Sequence, residues 1–196
     1  MRGQAHTVEA FAAAVLIIGG LIFATQATAV TPLSASTSNQ HIENQQKASI
    51  EGLLSTAARD GSLAEALLYW DAENETFFDT PDPGTYSEGP PNEFGEALNS
   101  LLSDRRIAFN VRVRYPTDDG GIDVEEMVHM GEPSANAVSA TRTFGLYDGS
   151  SLSAPDDDRT LEDVRNDSNS EFYAPETGTD SRLYTVVEVE VIAWRK

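Results

Sequence analysis

A chain of 196 residues can bury one compact core and is too short for two independent ones. Its 32 acidic against 13 basic residues give a net charge of -19, which repels a phosphate backbone and argues against nucleic acid as a partner. Cysteine is absent, which excludes disulfides and thiolate chemistry. Lys47 and Lys196 are the only lysines, so nearly all the positive charge is arginine, while Asp and Glu crowd the loop-like segments. That balance points to a high-salt environment, where screening makes self-repulsion tolerable and hydrated carboxylates keep a surface in solution; the alternative reading of the charge is an ordinary acidic secreted protein.

In chain order, the first expected element is an apolar helix. Ala10 to Ala24 contains fifteen positions without a charge, and the uncharged stretch runs on to Val30. As a helix, Ala10 to Val30 would span roughly 31 Å, about one hydrocarbon core. It has no polar face, so lipid or copies of itself must surround it. One reading is a secretory signal, with Arg2 as the basic region and Ala27-Thr28-Ala29 as a small-residue cleavage site after Ala29. Glu9, an acid directly before the apolar run, does not suit such a signal.

Arg2-Gly3-Gln4-Ala5-His6-Thr7-Val8-Glu9, followed at once by the apolar run, resembles the class III signal of archaeal type IV prepilins and of pilin-like proteins from halophilic archaea. The resemblance covers about the first 30 residues. It implies that a prepilin peptidase cuts within Gly3, Gln4 and Ala5, after Gly3 or after Gln4, and that the apolar segment stays in the mature protein. It also implies a role for Glu9 in filament assembly. A carboxylate at the edge of an apolar bundle is costly unless paired, and the new α-amine of a neighbouring subunit is a natural partner. The partners so implied are the peptidase, other pilin-like subunits and the membrane, with residues 1–30 as signal and anchor and 31–196 as an extracellular acidic domain.

Beyond Pro32 the apolar positions Ile42, Ile50, Leu53, Leu54 and Ala57 predict a helix over 39–58. Ser62-Leu63-Ala64-Glu65 reads as a capping box opening a short helix to about Trp70. Residues 71–92 have loop composition, and 93–104 return to helical spacing through Phe94, Leu98, Leu101 and Leu102. Four strands follow: 107–115 by strict alternation, 124–130 after the Asp118-Asp119-Gly120-Gly121 turn, 137–147, and 183–194 with Glu188 and Glu190 on one face. Residues 148–180 read as an irregular acidic excursion. The expected fold class is α+β: a long N-terminal hydrophobic helix, a helical layer, then a largely antiparallel sheet of about four strands, the broad plan of pilins.

No catalytic constellation is legible. His6, His41 and His129 are scattered, and there is no GxSxG elbow, HExxH helix or glycine-rich phosphate loop. No cofactor is implied. Asp118, Asp119 and Asp123, and separately Asp156, Asp157 and Asp158, could gather calcium, but neither group matches an EF-hand loop, and the expectation is a hairpin turn and a solvated charge run with no metal. Asn74-Glu75-Thr76 and Asn166-Asp167-Ser168 are N-glycosylation sequons. The expected function is a minor or accessory type IV pilin-like subunit serving adhesion, surface contact or assembly, not an enzyme. The alternatives are a surface binding module that forms no filament, membrane-anchored or secreted, and an extracellular hydrolase whose paired carboxylates linear sequence cannot show.

Overall fold

The computed structural model describes residues 33–80, 86–155, 157–167, 172–178 and 181–195, together with Ala14, Ile17 and Ile18; of residues 33–39 it describes the backbone. The chain divides into two units, Met1–Ile42 and Glu43–Lys196, and the core and sheet belong to the second.

Helix α1 (Leu33–Asp60) is 28 residues long and presents Ile50, Leu54 and Ala57, spaced by four and three, to the core. Gly61, at φ 94°, ends it in the left-handed conformation that glycine adopts without a Cβ penalty. The expected capping box does not form: Ser62 instead donates through its amide and its hydroxyl to Asp60 Oδ1, at 3.1 and 2.8 Å, and starts helix α2 (Ser62–Leu68) from there. Strands β1 (Trp70–Asp71) and β2 (Thr76–Phe77) form a small hairpin inside the expected loop. Its turn is built by Asp71 Oδ1, which accepts from the amides of Glu73 and Asn74. Helix α3 (Glu93–Leu101) is capped by Asn92, whose side chain accepts from the Gly95 amide.

The four expected strands are present as β3 (Ile107–Pro116), β4 (Ile122–His129), β5 (Val138–Tyr147) and β6 (Leu183–Arg195). They make one fully antiparallel sheet in the order β4-β3-β6-β5. Phe109, Val111 and Val113 of β3 stand opposite Ala193, Val191 and Val189 of β6, and these odd positions share the buried face that is continuous with Leu54, Leu67, Phe94 and Leu98 of the helices. The α+β class and the sheet are as expected.

The N-terminal part of the expected fold is corrected. Among the described residues the first continuous helix is not an apolar rod: Leu33 to Gln46 of α1 are mostly Ser, Thr, Asn and Gln, and the first buried side chain described on it is Ile50. Among the described residues no helix is long and apolar enough to cross a membrane. Of the apolar run only Ala14, Ile17 and Ile18 are described, in helical backbone with exposed side chains; the rest of it lies outside the described residues.

The acidic excursion is also more ordered than expected. Within it helix α4 (Leu161–Asn166) carries a full capping box between Thr160 and Asp163, and Leu161, Val164 and Ala174 are buried. Tyr173 meets Tyr115, and Phe172 meets Tyr184, edge to face, while the Phe172 and Tyr173 rings are tilted against each other. On the same buried side Glu125 stands opposite Val113, and burial raises its carboxyl above the ordinary range, with the Glu75 and Asp123 charges pushing the same way. An acid whose pKa is higher folded than unfolded contributes stability at low pH that is lost as pH climbs from the unfolded to the folded value. Glu125→Gln is therefore expected to raise the thermal midpoint at neutral pH and leave it unchanged below the ordinary glutamate range, as scanning calorimetry at the two pH values would show.

Candidate functional site

The even positions of β3 and β6 face away from the helical layer and carry Arg112, Arg114, Glu188 and Glu190. Arg112 stands opposite Glu190, and Arg114 opposite Glu188. Arg114 bridges the two acids, Nη1 to Glu188 Oε1 at 2.9 Å and Nη2 to Glu190 Oε2 at 2.7 Å. Ser139 of β5 donates its hydroxyl to the other Glu190 oxygen at 2.5 Å. Arg112 reaches the opposite way, pairing through Nε and Nη2 with Glu126 of β4, both at 2.9 Å. His129 Nδ1 lies 3.1 Å from the second oxygen of Glu126. Burial pushes the Glu126 carboxyl upward, but the hydrogen bonds with His129 and Arg112 outweigh it and hold the group below its usual range. The bond to Glu188 and the charge of Glu190 raise the Arg114 guanidinium above its ordinary value despite partial burial.

These bonds leave Glu190, with a side chain only 11% exposed, accepting from two side chains. On the open face three carboxylates meet two guanidinium groups, so the local charge is close to neutral on a chain of net -19. At the end of the same face, past Arg114, the residues turn apolar. Ile122 lies opposite Pro116, Val124 opposite Arg114 and Val186 opposite Gly145, while the Tyr147 ring lies beside Gly145.

The arrangement offers ion pairing and apolar contact rather than proton transfer. Among the described residues no hydroxyl or thiol bonds to His129; its neighbours are Glu126 and the Asn110 amide. His41 is exposed on α1, and His6 lies outside the described residues. Among the described residues no three His, Asp or Glu side chains converge to hold a metal. Asp119 accepts from Thr117 and the Gly121 amide within the β3–β4 turn, and Asp123 accepts from the Val124 amide. Asp157 is gripped by Arg159, Nε at 2.9 Å and Nη2 at 2.7 Å, while Asp156 lies outside the described residues.

Of the residues singled out in the sequence, Gly3, Gln4, Ala5 and Glu9 lie outside the described residues. Asn74 is exposed in the β1–β2 turn, donating to Asp71 at 2.8 Å, but Thr76 of its sequon is buried in β2 with its hydroxyl on Thr80. Asn166 is exposed at the end of α4, and its sequon serine lies outside the described residues. The alternation of Arg112 with Arg114 and of Glu188 with Glu190 is legible in the sequence, but their pairing is not. Opposite charges at period two in two strands were the available signal.

Fold and site together define an acidic α+β domain with one sheet face covered by helices and the other bearing a neutralised charge ladder beside an apolar end. The chain belongs to the family of unknown function DUF7288, which matches residues 2–193. No curated protein and no solved structure matches it.

Proposed function

We propose that the chain is a minor or accessory subunit of the type IV pilin-like kind, held at the membrane or in a surface filament by its apolar N-terminal segment. The domain beyond it is displayed outside the cell, in a high-salt setting, for adhesion, surface contact or assembly, and does no catalysis. One observation carries the reading: Arg2 to Glu9 followed directly by the fifteen uncharged residues Ala10 to Ala24. The family match runs from residue 2 to 193, taking in that segment together with the domain, and assigns no function to either. A prepilin peptidase removes the residues up to Gly3 or Gln4, and Glu9 then pairs with the α-amine of a neighbouring subunit.

In a strain lacking the peptidase, intact-mass measurement is expected to find a product heavier by Met1–Gly3 or Met1–Gln4; an unchanged mass overturns the processing step. Glu9→Gln is expected to leave processing and membrane retention intact while the subunit drops out of sheared filament fractions. Normal incorporation of that variant would contradict the pairing role.

A further inference from the structure

We infer that the apolar end of the open sheet face is where this domain packs against a second copy of the chain. The first ground is the distribution of exposed apolar side chains. Among the described residues of the Glu43–Lys196 unit, the large exposed hydrophobics are Ile122, Val124, Tyr147 and Val186, at 74, 47, 56 and 38% exposure. All four lie at one end of one face, drawn from three of its strands. Scattered exposed apolar residues need no explanation, but a contiguous group rimmed by polar side chains marks a contact surface.

The second ground is charge, and it selects the occupant. Two copies at -19 each repel strongly, so they can meet only where carboxylates are already neutralised. The open face provides this: Arg112 and Arg114 hold Glu126, Glu188 and Glu190, so that Glu188, which borders the apolar residues, is paired. A basic partner would find few free carboxylates here and would be drawn instead to the acidic loops. A second acidic copy finds in this face an approach where most of the repulsion is already cancelled. Shape agrees with charge, since a groove of about 290 Å³ runs between Ile122, Val186 and Thr143 with Arg114 and Glu188 as its wall. Ile122, the most exposed of the four, is a knob able to enter the same groove on another copy. The pairing is a property of the folded domain, so it holds whether or not the N-terminal segment stays attached.

The absence of cysteine makes the test specific, because one introduced thiol reports one position. In cells expressing the full-length chain, a permeant short bis-maleimide is expected to join the Val186→Cys variant into a covalent product of twice the chain mass. Asp104→Cys, an exposed position on the turn before β3, is expected to stay monomeric. Adding Ile122→Glu to the Val186→Cys variant buries a charge in the contact and is expected to cut dimer yield about tenfold, while the thermal midpoint is unchanged because the position is exposed. Raising the salt concentration is expected to increase the yield by screening the residual repulsion. The inference is overturned by no dimer from Val186→Cys, by equal yield from Asp104→Cys, by a yield that Ile122→Glu leaves unchanged, or by adducts only with another protein. None of these results depends on where the N-terminus is cut.

Discussion

Replacing Phe109 by alanine is expected to lower the unfolding free energy by about 3–5 kcal/mol, the cost of removing a buried aromatic ring and leaving part of its cavity unfilled. Phe109 is fully buried on β3, the second strand of the sheet, opposite Ala193 of β6. The small partner leaves room for the ring in the core it shares with Leu54, Leu67, Phe94 and Leu98. Backbone rigidity limits collapse into the gap, because β3 is bonded to a strand on each side. Denaturant unfolding followed by circular dichroism measures the loss; a change below about 1 kcal/mol would mean that the helices do not pack on this face of the sheet.

Arg114→Met is expected to have the next largest effect, a loss of about 2 kcal/mol. Removing one partner of a fully buried ion pair costs about 3–5 kcal/mol, and the partial exposure of Arg114 reduces that figure. What remains is Glu190, nearly buried and left with the Ser139 hydroxyl as its side-chain donor, and Glu188 without its counter-ion. Adding Glu190→Gln to Arg114→Met is expected to restore about half or more of the loss, since the uncompensated buried charge is then gone. A double variant no more stable than the single one would place the energy elsewhere than in the pair. The single variant should also weaken the proposed pairing of copies, because it makes the open face more negative.

Much of the sheet was legible from alternation. Phe109, Val111 and Val113 against Asn110, Arg112 and Arg114 could fit only a strand with one face buried, and the turn at Gly120, φ 82°, follows from Asp119-Gly120. Pairing was not legible, because Arg114 and Glu190 are 76 residues apart and nothing local joins them. The helix ends misled for a physical reason. Ser62 and Glu65 have the composition of a capping box, but the preceding Asp60 carboxylate takes the serine's donors first. Conversely, Thr160 and Asp163 do form a capping box inside a stretch whose acidity suggested no structure, and Leu161 and Val164 three positions apart were the missed sign of a buried helix face. The N-terminal apolar run was read as one long helix from hydropathy alone; the long helix described is the polar one that starts at Leu33.

The proposed function turns on whether the apolar segment Ala10 to Ala24 remains covalently joined to the acidic domain after export. Mass spectrometry of the mature protein's first residue tests this most directly. A mature chain starting at Gln4 or Ala5 is the predicted result, with Glu9 and the apolar run retained. A mature chain starting at Val30 would show that the segment is discarded as an ordinary secretory signal, and would contradict the account.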